Sequence, residues 1–270
     1  MSSKRYFGTS RDIRYEEIEG VDPSLLSLDV FVPEGGENLP VIFWLHGGAW
    51  TFGDKAPTEK GNLFNRRGMV FVTANYRLSP SARFPVQAVD AAAAFAWTKE
   101  HIRNFRGDPS RVYAMGHSAG AHLAALIAVD ESYLMPHLLN LKDIRGVAPV
   151  DTQVYDLKFM TEQAGGKIWE GYEQVFGTTA AQWDLASPIT HIQPGKGIPP
   201  MIVPYSRGVV EAADPQRAAQ NKRFVEELVK AGVRAESLPA THKTYAQINL
   251  DFGQPGDTVT EKVLEFFGLK

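Results

Sequence analysis

Apolar runs and polar breaks alternate along this chain in a regular order. A continuous apolar run such as 41–45 is typical of a strand covered on both faces. Asp214-Pro215 predicts a helix start, since Asp caps helices well and Pro suits the first turn. The predicted strands are 26–32, 41–45, 69–74, 111–115, 144–150, 201–205 and 233–238, and the predicted helices 86–105, 121–128, 215–231 and 258–267. This alternation predicts an α/β fold with a mostly parallel central sheet and helices on both faces.

The chain carries no spacer, repeat or run of like charges that divides it, so residues 1–270 are predicted to form one domain. Residues 151–190 are irregular and aromatic, and we interpret them as a small cap-like insertion. Their aromatic side chains are expected to fill the core of the cap; the alternative is that they cover a pocket. These aromatic residues are Tyr155, Trp169, Tyr172, Phe176 and Trp183.

Composition excludes several classes of function. A net charge of −3 without a basic stripe argues against a nucleic-acid partner. No apolar run reaches membrane-spanning length, and the first residues lack a signal-peptide core. The absence of cysteine excludes disulfides, thiolate metal sites and a cysteine nucleophile. We therefore expect a cytoplasmic protein without membrane contact; whether it forms a homo-oligomer is left open.

The segment 116–120, Gly-His-Ser-Ala-Gly, is the most informative motif. The strand-like run 111–115 leads into it and the helix-like run 121–128 follows it. A Gly-x-Ser-x-Gly sequence between a strand and a helix is typical of a nucleophile elbow. The sharp turn excludes side chains at both glycines and presents the hydroxyl of Ser118 at its tip. The backbone N–H of Ala119 then lies at a helix start, where partial positive charge collects.

Several further segments accompany this elbow. They are His46-Gly47-Gly48-Ala49-Trp50, Asn75-Tyr76-Arg77-Leu78, Phe84-Pro85, Asp90, Trp97 and Asp108-Pro109. With residues 116–123 they resemble the α/β-hydrolase fold, in its hormone-sensitive-lipase-like and carboxylesterase branch. That branch also contains kynurenine formamidases and small acetyl and feruloyl esterases. The resemblance is strongest over residues 26–130, and the fold itself does not select a substrate.

The resemblance implies an acyl-transfer site with an oxyanion hole. Gly47 and Gly48 stand where a side chain would keep an N–H from the oxyanion, and with Ala119 they would provide three backbone donors. Trp50 is expected to pack beneath this loop; stacking on substrate is the alternative.

The general base is expected to be His242. The nucleophile, acid and base follow one another along the chain in this fold, and His242 alone follows a late strand and every acid considered. In some relatives the histidine stands just before an Ile-Asn pair, and Tyr245 lies close to that register, before Ile248-Asn249. The triad is therefore either shifted to His242 or broken.

The acid is expected to be Asp214, which lies one strand-and-helix unit before His242. Its alternative role is that of an ordinary helix N-cap. Glu211 and Asp151 are the other candidates for the acid.

These residues lead to one hypothesis and two alternatives. The chain is expected to be a serine hydrolase that cleaves small carboxylic esters, with Ser118 as nucleophile and without metal or cofactor. One alternative is an amide hydrolase of the arylformamidase type. The other is a non-catalytic ligand-binding module that keeps Ser118 but has an incomplete triad. The sequence shows no metal-ligand spacing such as a helical His-x-x-x-His pair.

Overall fold

The computed structural model of the chain describes residues 8–56, 59–166, 169–208 and 214–269. Strands β1–β8 span Gly8–Arg14, Ser27–Val32, Leu39–Leu45, Val70–Ala74, Gly107–His117, Gly146–Val150, Met201–Ser206 and Ala235–Ala240. Helices α1–α9 span Glu59–Asn65, Val86–His101, Ala119–Val129, Leu157–Gln163, Glu170–Phe176, Ala180–Ala186, Pro215–Lys230, Tyr245–Asp251 and Thr258–Phe267.

Within the described ranges the strands form one eight-stranded sheet in the order β1-β2-β4-β3-β5-β6-β7-β8. The pairs β1/β2 and β2/β4 are antiparallel, and the other neighbours are parallel. This confirms the predicted mostly parallel α/β sheet. The carboxyl ends of β3, β5, β6, β7 and β8 therefore meet at one edge, where such folds place their reactive groups.

The alternation along β3 explains how the sheet is buried on both faces. Val41, Phe43 and Leu45 point into one apolar cluster together with residues of α2, α3 and α7. Ile42 and Trp44 point into a second cluster with residues of α1, α8 and α9. Side chains alternate between the two faces of a strand, so a continuous apolar run is what two covered faces require.

Residues 151–190, predicted to be an irregular cap-like insertion, contain the three short helices α4, α5 and α6. Tyr155 and Phe176 are buried in the core, whereas Trp169 and Tyr172 line a cavity beside the sheet edge. The aromatic residues of this segment thus divide between the two roles considered from the sequence.

An ion pair with a buried carboxylate fixes the loop that follows β4. Asp90 in α2 is 2% exposed and accepts hydrogen bonds from the backbone N, Nε and Nη2 of Arg77, at 2.9, 2.8 and 2.6 Å. We expect Asp90→Ala to lower the free energy of unfolding by about 2 kcal/mol, because it removes the charged acceptor of these hydrogen bonds from a guanidinium that is only partly exposed. Urea denaturation measures this. Glu227→Ala removes the exposed pair with Lys230 and serves as the control; equal midpoints for the two variants would contradict the prediction.

Candidate active site

Ser118 lies at a strained turn between β5 and α3. Its φ and ψ are 56° and −116°, a conformation that non-glycine residues rarely adopt. A Cβ on Gly116 would lie 2.5 Å from the backbone of Gly120, and one on Gly120 would lie 2.1 Å from the carbonyl oxygen of Leu45. Both flanking glycines are thus required by close backbone approach. The local geometry is that of a nucleophile elbow, with Ser118 on the cavity wall.

Gly47 and Gly48 line the same cavity as Ser118, and Ala119 follows Ser118 at the start of α3. Gly48 has a φ of +124°, and a Cβ there would lie 1.9 Å from the carbonyl oxygen of Phe52. A Cβ on Gly47 would lie 3.3 Å from the Cβ of Ser118, so this glycine is adjacent to the nucleophile. Ala119 is the first residue of α3, and the first N–H groups of a helix have no partner within it. This arrangement is suited to hold a developing oxyanion.

The loop that carries Gly47 and Gly48 rests on packed aromatic rings. The ring of His46 stacks on Tyr76 at 4.4 Å, and the Tyr76 hydroxyl donates to the His46 carbonyl at 2.8 Å. Trp50 is 3% exposed and meets Phe176 at 4.8 Å. Trp50 is thus packed among buried rings, as predicted, and it also lines the cavity that Ser118 lines.

Ser118 does not have His242 beside it. The side chain of His242 is exposed, in the turn after β8, and is not part of the cavity wall. Tyr245, at the start of α8, lines the cavity instead, and its ring lies 4.6 Å from that of His117, the residue before Ser118. The structure therefore does not place His242 at Ser118 as the sequence led us to expect. Residue 242 falls in the exposed turn between β8 and α8, whereas residue 245 is the first residue of α8 and lines the cavity.

Asp214 is engaged as a helix cap. Its Oδ1 accepts the backbone N–H groups of Gln216 and Arg217, both at 3.0 Å, and its Oδ2 lies 3.7 Å from the Arg217 Nε. This is the helix N-cap role that was the alternative prediction for Asp214. The described residues show no hydrogen bond or ion pair between Asp214 and the exposed His242. Glu211 lies outside the described residues.

Asp151, the remaining candidate acid, forms a buried ion pair. It is fully buried at the end of β6, and its Oδ1 lies 2.9 Å from Nη1 of Arg217, which is 5% exposed. Burial raises the pKa of Asp151, while the charge of Arg217 and hydrogen bonds from Ser206 act in the opposite direction. The Asp151 carboxylate thus pairs with Arg217 and holds its guanidinium in place.

Arg217 connects this ion pair to the nucleophile. Its guanidinium carbon lies 5.2 Å from the centre of the Tyr245 ring, a cation–π distance. Asp151, Arg217 and Tyr245 therefore form a series of contacts from the sheet interior to the cavity that Ser118 also lines.

His117, the residue before the nucleophile, is buried against this series. Its ring lies 4.6 Å from that of Tyr245. Burial, with the nearby charges of Lys60 and Arg217, lowers the pKa of His117 to about 3. The imidazole is therefore neutral at physiological pH and a weak proton acceptor.

The cavity in front of Ser118 has a volume of about 750 Å³, which suits a small organic ligand. Both polar and aromatic side chains line it. The polar ones include Gln153, Gln216, Arg217 and Asn249, and the aromatic ones include Trp50, Phe52, Trp169 and Tyr172.

The described parts of the chain carry neither a candidate metal cluster nor a candidate membrane span. They contain no cluster of three or more His, Cys, Asp or Glu side chains that could hold a metal ion. None of their helices has the length and apolar character that a membrane crossing requires.

Comparison with known proteins identifies the family. A family model described as BD-FAE matches residues 28–207, about two thirds of the chain. The chain belongs to the BD-FAE family. The resemblance to the carboxylesterase branch of the α/β-hydrolases is thereby confirmed.

Relatives of this BD-FAE protein include several esterases. Esterase LipQ of Mycobacterium tuberculosis is 29% identical over 245 residues, 87% of this chain and 56% of that protein. The isoprenylcysteine alpha-carbonyl methylesterase ICME of Arabidopsis thaliana is 26% identical over 267 residues, 89% of this chain and 58% of that protein. The chain thus spans about half the length of the curated relatives it matches.

Solved structures confirm the fold. A truncated form of a carbohydrate esterase from gut microbiota superposes with a TM-score of 0.76 at 17% identity, covering 98% of this chain and 96% of that one. Esterase 2 of Thermogutta terrifontis, phosphoramylated by tabun, gives a TM-score of 0.70 at 22% identity, covering 97% and 92%. These likenesses establish the α/β-hydrolase architecture.

Arg217 is the site residue of this BD-FAE protein that the sequence analysis missed. A signal for it exists in α7: Arg217, Gln220 and Asn221 share a buried face with Phe224 and Leu228 at helical spacing. Polar residues on the buried face of an amphipathic helix indicate buried partners. Here the partners are Asp151 and the carbonyl oxygens of Asp156 and Thr152.

Proposed function

We propose that this BD-FAE protein hydrolyses small carboxylic esters through an acyl-enzyme on Ser118. The observation that carries the proposal is the strained elbow, which presents the Ser118 hydroxyl to a cavity between the glycines of the 46–50 loop and the start of α3. The esterase names of the relatives, which are longer proteins, agree with it.

In this reaction the Ser118 Oγ attacks the ester carbonyl carbon, and the carbonyl electron pair moves to its oxygen. The backbone N–H groups of Gly47, Gly48 and Ala119 stabilise that negative oxygen. Collapse of the tetrahedral intermediate expels the alcohol and leaves an acyl group on Ser118, which water then removes.

The test follows turnover and the covalent intermediate together. para-Nitrophenyl acetate is incubated with the protein, para-nitrophenol release is recorded, and acid-quenched samples are analysed by intact mass and peptide mapping. We expect continuing release and one acetyl group per chain, on the peptide that contains Ser118. If neither turnover nor an adduct is detected, with this ester or with its propionyl and butyryl analogues, the proposal is overturned.

A second candidate function, a ligand-binding module, is favoured by the exposed position of His242 and by the phenol at Ser118. A module of this kind would hold its ligand in the cavity without catalytic turnover. The same experiment distinguishes the two, because the module predicts a stoichiometric adduct or reversible binding with no continuing release.

Gly48→Ala tests the proposed oxyanion hole. The new Cβ would lie 1.9 Å from the Phe52 carbonyl oxygen, so the loop must shift and its N–H groups leave their positions. We expect kcat/KM for para-nitrophenyl acetate to fall about a hundredfold, the cost of one lost oxyanion donor. Gly35→Ala adds a Cβ in open space and is the control. A Gly48→Ala rate within twofold of the control would contradict this role.

A further inference from the structure

Tyr245 lies beside the nucleophile elbow. Its ring lies 4.6 Å from that of His117, the residue before Ser118, and Tyr245 and Ser118 line the same cavity. The buried Nε2 of His117 makes no hydrogen bond. Tyr245 is therefore the phenol next to the turn that carries Ser118.

A buried cation is held beside this phenol. The guanidinium of Arg217 lies 5.2 Å from the Tyr245 ring centre, and the ion pair of Arg217 with Asp151, at 2.9 Å, fixes its position. Both members of this pair are almost fully buried. A fixed positive charge in a poorly hydrated site stabilises a nearby anion more strongly than it would in water.

We propose that Tyr245 exchanges the proton of Ser118 during acyl transfer, and that Arg217 is a positioning residue that favours the phenolate of Tyr245. This inference rests on the proposed function. It assigns the acid–base role to a side chain of α8 and assigns none to His242.

The proton transfers balance at each step. The Tyr245 phenolate takes the Ser118 proton as Oγ bonds to the ester carbon. The intermediate then expels the alcohol oxygen, which takes that proton from Tyr245 and leaves as neutral alcohol. In the second half-reaction the phenolate takes a proton from water while the hydroxide oxygen bonds to the acyl carbon. Collapse then releases the acid and returns the proton to the Ser118 oxygen.

The charged and titratable groups around the phenol set the sign of its pH dependence. Those that face it are His117 and Ser118 on the elbow, Arg217 on α7, Asp151 after β6, Tyr172 on α5 and Tyr76 after β4. Burial raises the pKa of Tyr245 above its ordinary value, and the Ser118 hydrogen bond and the Arg217 charge oppose this effect. The phenolate is therefore the minor form of Tyr245 at neutral pH, and its share increases as the pH rises.

The acylation rate should consequently rise about tenfold per pH unit from pH 6 to 9, without levelling off near 6.5 as a histidine base would. Single-turnover acylation by para-nitrophenyl acetate, with Ser118→Ala as background, measures this. Tyr245→Phe keeps the ring and should lower the rate about a hundredfold and remove the slope. Tyr133→Phe, a matched loss of a hydroxyl on the turn after α3, should keep both.

Tyr245→His and His242→Ala complete the experiment. An imidazole at position 245 should give a rate that levels off near neutral pH, and His242→Ala should follow the wild-type profile. Retention of rate and slope by Tyr245→Phe, or loss of rate in His242→Ala, would overturn the inference while acylation of Ser118 stands. If wild-type Ser118 is acylated at no pH, the proposed function itself fails.

Discussion

Ser118→Ala lowers kcat/KM for para-nitrophenyl acetate by at least about a thousandfold. The variant keeps the cavity and the oxyanion donors but removes the atom that bonds to the ester carbon. Enzymes that lose their nucleophile retain only the residual rate enhancement from the oxyanion hole and binding. The structure assigns no second nucleophile to the cavity wall: its described residues include no cysteine or lysine, and Thr152 and Thr161 are its other aliphatic hydroxyls.

Initial-rate assays at saturating and subsaturating ester measure this effect. Ser132→Ala, an exposed serine on the turn after α3, is the matched control and should keep the wild-type rate. A Ser118→Ala variant that retains a tenth or more of the wild-type kcat/KM would exclude an acyl-enzyme on Ser118.

Arg217→Met destabilises the fold by about 3–5 kcal/mol at pH 8. The substitution leaves the Asp151 carboxylate, which is fully buried, without its cation, and an uncompensated buried charge is costly. Native domains are stable by only about 5–15 kcal/mol, so the effect should be evident in the thermal midpoint. The variant Asp151→Asn/Arg217→Met removes both charges and should recover most of the loss; Asn also tolerates the positive φ of 57° at position 151.

The loss should depend on pH with a definite sign. The pKa of Asp151 is already raised by burial, and removing Arg217 raises it further. Between the unfolded and folded pKa values, the folded state binds the extra proton, so stability falls as pH rises through that window. Urea denaturation of Arg217→Met should therefore show higher stability at pH 5 than at pH 8. Equal stability of Arg217→Met and wild type at pH 8 would contradict the role of this ion pair.

Most of the fold could be predicted because its signals are local. The run 41–45 indicated a strand covered on both faces, and β3 has two apolar clusters on its two faces. The helix predicted at 215–231 is α7, Pro215–Lys230. It could be predicted because Asp followed by Pro is typical of a helix N-terminus. By contrast, β1, α1 and α8 were not predicted, since short elements of mixed polarity depend on the surfaces they pack against.

Some residues of the site could likewise be predicted from the sequence, and others could not. Ser118 and the two glycines of the 46–50 loop belong to short motifs in which glycine marks the positions that cannot hold a side chain, and such motifs can be recognised in the sequence. The partners of Ser118 come from segments about 100 and 130 residues away, and chain order cannot decide which side chain points inward. Tyr245 and His242 stand three residues apart, and the structure places the tyrosine and not the histidine on the cavity wall.

A crystal structure after reaction with a small alkyl phosphonate ester tests the central claim most directly. The account predicts a covalent bond from the Ser118 Oγ to phosphorus. The phosphonyl oxygen should lie about 2.7–3.1 Å from the backbone nitrogens of Gly47, Gly48 and Ala119. A phosphonate bound to a different side chain, or a phosphonyl oxygen directed away from those nitrogens, would contradict it.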